Sequence, residues 1–191
     1  MKYKLLVLDV DGTLLNNQKE ISPRTLAALL KVQQMGVHIV LASGRPTNGV
    51  MPIAEKLELN HYGGYILSYN GGQIINVQTG ELLFEKRIDP EWIPYFEKEK
   101  QRKNDFAIFT YHKDFILTDK PDNKYVIQRS QPEQDADCRC RQLCRSRRFP
   151  ALQNVCWQSD DEESAHRFGE SLEKKRLDGV LECIQVGTLI S

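Results

Sequence analysis

The chain has 191 residues, 40% hydrophobic and 27% charged, with 26 lysines and arginines balanced by 26 aspartates and glutamates. That length suits one domain or two small ones with room for a real core, and a formal charge of zero argues against nucleic acid or another highly charged partner. No apolar run approaches the roughly 20 residues of a membrane span, and none has the pattern of a signal peptide, so the expected location is the cytoplasm.

Leu5 to Leu8 is a short apolar run closed by Asp9, Val10, Asp11, Gly12 and Thr13. It reads as a buried parallel-type strand whose carboxyl end carries two aspartates, where open α/β sheets bind their ligands. Aspartate is a poor strand residue and costly to bury unless paired or bound to a metal. A carboxylate pair makes a natural Mg2+ site, and a carboxylate is also a nucleophile toward phosphorus. A second carboxyl can then serve as general acid and as base. Gly12 lets the backbone turn closely around an anion, and Thr13 supplies a hydroxyl donor. For D-x-D alone, an Asx-type turn is the competing reading. The whole run resembles the first motif, DxDGT, of the haloacid-dehalogenase (HAD) phosphohydrolase superfamily. The resemblance implies Asp9 as nucleophile and Asp11 as acid/base, with Mg2+ held at Asp9 and Asp11 and phosphate contacts at Gly12 and Thr13.

Asn16 to Glu20 form a polar loop, and Ser22-Pro23 read as N-cap and first residue of a helix. Leu26, Leu29, Leu30 and Met35 are its expected buried face, with Gly36 as the stop. Val37 to Ala42 is a second buried strand ending in Ser43-Gly44-Arg45-Pro46. Strand, helix and strand make a right-handed βαβ unit, which brings Ser43 beside the aspartates if the strands are neighbours. A small hydroxyl, a glycine and an arginine there can hold a phosphate and its attached group. This strand end resembles HAD motif II, which implies Ser43 as phosphate ligand with Gly44 and Arg45 beside it. Thr47 opens a second helix with Val50, Ile53, Ala54 and Leu57 on one side.

Tyr65 to Ser68 is a third strand, followed by Tyr69-Asn70-Gly71-Gly72 and by a hairpin of Gln73 to Val77 with Glu81 to Phe84. Asn70-Gly71 suits a turn with positive φ whatever the function. The same turn resembles the entry to the cap in the Cof-type branch of the superfamily, which implies substrate contact by Asn70. From Glu85 the pattern changes. Asp89-Pro90 starts a helix with Trp92, Tyr95 and Phe96, its far end charged from Lys98 to Lys103 as a solvated face. Phe106 to Thr110 and Phe115 to Thr118 are aromatic and β-branched strands around a polar turn, and His112 reads as a surface turn residue. Helix and strand pair fit the opening of an α+β cap.

Periodicity is lost from Arg129 to Gln158. Residues 1–128 hold 12 lysines and 4 arginines, whereas residues 129–160 hold no lysine and six arginines. Cys138, Cys140, Cys144 and Cys156 also fall in this region, with Cys183 beyond it. Their spacing is wrong for a zinc module, and interleaved acids argue against an RNA-binding arginine tract. Back-translation of Arg129 to Cys156, read one nucleotide later, permits a peptide with helical apolar spacing. The same shift after Glu182 permits a segment that resembles the family's next cap strand. The expectation from this composition and back-translation is that 129–158 and 182–191 are out of frame and that the chain ends early; the consequence is that nothing matches the family's lysine (motif III) or distal acidic pair (motif IV).

The expected fold is α/β, a Rossmann-like HAD core with a partial parallel sheet over residues 1–84, joined to an α+β cap domain over 85–191. The expected function is a Mg2+-dependent phosphatase of small phosphorylated metabolites, of sugar-phosphate type, acting through an aspartyl-phosphate, with no nucleic-acid or membrane partner. The alternative is a catalytically incomplete fragment or non-enzymatic binding protein. A phosphomutase would share Asp9 and Asp11, but the cap type argues against it. Oligomeric state and the particular substrate stay open.

Overall fold

A computed structural model describes residues 3–87 without a break and, beyond them, residues 91, 94, 98, 107–112, 115–118, 120, 122–124, 126, 127, 155–158 and 184–186. The chain divides into two compact units, Met1–Glu85 and Lys86–Ser191.

The first unit is built on three parallel strands, β1 (Leu5–Asp9), β2 (His38–Ala42) and β3 (Gly64–Ser68), extended by antiparallel β4 (Gln73–Asn76) and β5 (Leu82–Glu85). Sheet order equals chain order, so among the described residues β1 is an edge strand. Helix α1 (Pro23–Gln34) connects β1 to β2; α2 (Thr47–Lys56) and the short α3 (Leu59–Tyr62) connect β2 to β3. Right-handed crossovers that advance in one direction put their helices on the same face. The core follows: Leu6, Leu8, Ile39, Leu41 and Ile66 share one sheet face and pack with Leu26 and Leu29 of α1 and Val50, Ile53 and Ala54 of α2.

Leu5 to Leu8 forms a strand parallel to β2, but it is not buried on both faces: Leu6 and Leu8 pack on the core, whereas Leu5 is 55% exposed and Val7 59%. Alternate residues point to opposite faces, and these two lie on the face away from α1 and α2, on a strand that among the described residues pairs only with β2. α1 begins as expected, with the Ser22 hydroxyl accepting from Thr25 N–H at 3.1 Å, and Gly36 follows it with φ +83°. Met35 is not on the buried face; it is the C-cap and is 54% exposed. Gln33 is buried there instead, its Nε2 donating to Leu57 O at 2.8 Å.

In the second unit β6 (Ala107–His112) pairs antiparallel with β7 (Phe115–Thr118) and with β8 (Val155–Gln158), and β9 (Ile184–Val186) lies parallel to β8. His112 is the last residue of β6, paired with Phe115, rather than a turn residue. The two stretches expected to be out of frame, 129–158 and 182–191, each hold a strand, β8 and β9. Trp92, Tyr95 and Phe96 of the expected cap helix lie outside the described residues, as do Cys138, Cys140, Cys144 and Cys183. Among the described residues, no helix is long and apolar enough to cross a membrane.

Candidate active site

The site forms where β1 and β2 end side by side, with Asp9 in register with Ala42. Beyond Asp9 the chain reverses through Gly12, whose φ of +79° is easy for glycine and strained for other residues. Leu14 N–H donates back to Asp9 O (3.2 Å) and Leu15 N–H to Val10 O (3.0 Å), while Val10, Leu14 and Leu15 plug the core. The turn is therefore fixed from below. On its upper side the Thr13 hydroxyl donates to Asp9 Oδ2 at 2.9 Å, which orients the carboxylate.

Ser43, just past β2, is buried; its N–H donates to Leu67 O (2.9 Å) and its hydroxyl oxygen accepts from Arg45 N–H (3.1 Å). That oxygen being an acceptor leaves the hydroxyl proton available to a ligand. The turn after β3 is tied to the same loop: Tyr69 N–H donates to Arg45 O (3.0 Å) and Asn70 N–H to Ser43 O (3.2 Å). Tyr69 and Asn70 both have φ +54°, the left-handed region, where non-glycine residues are strained. Asp9, Ser43, Gly44, Asn70 and Gly71 line one cavity of about 380 Å³ with Ala42 and Leu67. Behind it, Thr47, buried, hydrogen-bonds Ser68 at 2.7 Å and donates to Gln73, tying α2 to the end of β3 and the start of β4.

Asp11 is held by two cations. Arg45 Nε donates to Asp11 Oδ2 at 2.8 Å and Nη2 to Oδ1 at 2.7 Å, and Lys19 Nζ reaches Oδ1 at 3.2 Å. Arg45 also donates from Nη1 to Gly49 O at 3.4 Å. Partial burial raises the Asp11 carboxyl, but the hydrogen bond and charge of Arg45, with those of Lys19, outweigh it and hold the group below its ordinary value.

Of the residues expected at the site, Asp9, Ser43, Gly44 and Asn70 share the cavity. Asp11 and Arg45 pair with each other. Gly12 and Thr13 line a neighbouring hollow of about 450 Å³ with Asn16, Asn17, Gln18, Ser22 and Thr25. Thr13 spends its hydroxyl on Asp9, and Arg45 directs its fork at Asp11. Lys19 was not foreseen; its place in a polar loop following DxDGT was the available sign.

A sequence profile described as haloacid dehalogenase-like hydrolase matches residues 6–180. The chain belongs to that family. A haloacid dehalogenase-like hydrolase from Bacteroides thetaiotaomicron, solved by crystallography, superposes with a TM-score of 0.74 at 32% identity, over 93% of this chain and 66% of that one. The α/β architecture is the family's. A Streptococcus pyogenes serotype M6 relative, provisionally named a phosphatase, is 34% identical over 132 residues, 68% of this chain and 48% of its own length. Phosphatase YwpJ of Bacillus subtilis is 35% identical over 86 residues, 45% of this chain and 29% of its own. The chain thus spans about half or less of the length of these curated relatives.

Proposed function

We propose that the chain is a phosphatase of small phosphorylated metabolites, of sugar-phosphate type, with Asp9 as nucleophile. The observation that carries this reading is the Asp9 carboxylate, fixed by Thr13 at the rim of a cavity shared with Ser43 and Asn70. Asp9 attacks phosphorus, the bond to the ester oxygen breaks, and the proton of Asp11 passes to that oxygen. Water then attacks the aspartyl-phosphate, Asp11 takes its proton, and inorganic phosphate leaves. Ser43 and Asn70 hold the phosphoryl oxygens and its attached group. Asp11 is ionised in the arrangement described, the form that accepts a proton. A bound phosphoryl dianion draws on the positive charge of Arg45 and Lys19, which weakens the electrostatic preference for ionised Asp11 and lets it take up the proton it donates while the two cations keep it in place. In this reading residues 1–84 are the catalytic core and 85–191 the cap.

Mg2+ belongs to the same proposal. Asp9 uses Oδ2 for Thr13, and its other carboxylate oxygen is a hard donor of the kind Mg2+ takes. Asp11 does not fit as a side-chain ligand while both of its oxygens are held by cations, and among the described residues no group of three or more histidines, cysteines or acids gathers to hold a metal. When bound at Asp9 the ion would neutralise phosphoryl charge.

Hydrolysis of p-nitrophenyl phosphate with Mg2+, against Asp9→Asn and against chelator, tests the reading. Phosphate release that disappears with Asp9→Asn supports it; no release, or release that survives the substitution, overturns it. The double hold on Asp11 favours a second reading, binding without turnover, whose signature is saturable phosphate binding in a chain that hydrolyses nothing.

A further inference from the structure

Lys19 stands in the loop between β1 and α1 with φ +59°. The loop is closed on itself: Asn16 N–H donates to Glu20 O and Lys19 N–H to Asn16 O, both at 2.9 Å. Asn16 Oδ1 accepts from the N–H of Gln18 (3.0 Å) and of Glu20 (2.9 Å). A lysine in the left-handed region carries strain that a glycine would not, and such strain gathers at functional sites. The ammonium of this strained residue ends on Asp11 Oδ1, the oxygen that also takes Arg45 Nη2. Arg45 is largely buried, with its side chain 12% exposed, whereas Lys19 is 51% exposed.

We propose that Lys19 is a positioning residue for Asp11, an inference that rests on the phosphatase reading. The Asn16–Glu20 loop delivers its ammonium to one carboxylate oxygen while Arg45 holds both. Together they aim the carboxyl at the ester oxygen that receives its proton. An ordinary surface ion pair contributes little and its loss changes no chemistry. The two cases therefore separate on rate, not on stability.

The experiment compares wild type, Lys19→Gly and Lys19→Arg on two esters, p-nitrophenyl phosphate and an alkyl phosphate such as glycerol phosphate. Glu58→Gly is the control, since Glu58 has φ +54° at the α2–α3 junction and takes no part in the site. Both glycine variants are expected to keep or raise the melting temperature. Lys19→Gly is expected to lower kcat/KM for the alkyl ester about tenfold, the scale of a small misplacement of a reacting group, with KM little changed. The loss should be smaller for p-nitrophenyl phosphate, whose leaving group needs a proton less. Lys19→Arg should recover most of the rate, and Glu58→Gly should match wild type. An active wild type with Lys19→Gly unaffected, or with equal losses on both esters, overturns the role of Lys19 alone. A wild type with no Asp9-dependent hydrolysis overturns the phosphatase reading, and the positioning role with it.

Discussion

Arg45 grips Asp11 by both carboxylate oxygens, Nε to Oδ2 at 2.8 Å and Nη2 to Oδ1 at 2.7 Å, from a side chain that is itself mostly buried. The planar fork of a guanidinium makes that geometry, and an ammonium cannot. Arg45→Lys keeps the charge but reaches one oxygen at most, and it leaves Gly49 O without the Nη1 donor. The expected result is a loss of about 1 kcal/mol in stability, since the carboxylate is partly exposed and screened, measured by denaturant titration. Any phosphatase rate should fall by more than tenfold because the carboxyl loses its orientation.

The same contact sets a pH dependence. The Asp11 carboxyl has a folded pKa below its ordinary value of 3.8. A depressed carboxyl contributes stability above its unfolded pKa and loses it as pH falls through the folded pKa. The window is therefore below about pH 3.8. Asp11→Asn is expected to destabilise the fold by a constant amount, about 1 kcal/mol or less for a partly exposed carboxylate, from pH 5 upward. The gap to wild type should then narrow as pH falls below 3.8. Thermal unfolding of both proteins from pH 2.5 to 7 measures it; a gap that widens on acidification contradicts the ion-pair account.

How far the site was legible from sequence varied by residue. Asp9, Ser43 and Asn70 could be placed on one edge of the sheet because each lies at or just past the end of a parallel strand, whereas substrate contact by Asn70 was implied by the family resemblance alone. Gly36 and Ser22 were readable as helix punctuation. Lys19 was not, because its contact with Asp11 depends on a left-handed backbone angle and on hydrogen bonds to Asn16 that no periodicity reveals. The roles of Thr13 and Arg45 shifted for a related reason: a hydroxyl or guanidinium near an aspartate can serve a ligand or the aspartate, and distance alone decides. Exposure of Leu5 and Val7 was hidden because an apolar run reads the same on an edge strand as on a central one.

That exposure separates two neighbouring strands in their tolerance to change. Val7 and Val40 are paired across β1 and β2, as are Leu8 and Leu41, yet Val7 is 59% exposed and Leu41 fully buried. Val7→Thr keeps the β-branch and removes no core contact, so it should change stability by no more than about 0.5 kcal/mol. Leu41→Ala leaves a cavity between the sheet and its helices and should cost about 2–5 kcal/mol. Urea unfolding of both variants checks the contrast, and equal losses would mean that Val7 is covered in solution.

Gly64 is the most tightly enclosed of the described glycines, and it lies in the sheet that carries the site. It pairs with Ile39 across β2 and β3, and a Cβ built there would lie 2.7 Å from Ile39 O and 3.1 Å from a Leu59 methyl carbon. The first neighbour is strand backbone, which cannot rotate away as a side chain would, so Gly64→Ala must push β3 off β2 or distort α3. Overpacking of this kind costs about 1–3 kcal/mol. The displacement also travels, because β3 ends at Ser68 and leads into Tyr69 and Asn70, which are tied to Arg45 O and Ser43 O. Gly64→Ala should therefore lower the melting temperature and weaken phosphate binding together. Gly80→Ala is the control: its Cβ would meet nothing within 4 Å, and its φ of +71° strains the β4–β5 turn instead. It should lower stability while leaving phosphate affinity as in wild type. Calorimetric titration with inorganic phosphate beside thermal melts distinguishes the two, and a Gly64→Ala protein as stable as wild type would show that the strands have room this geometry denies.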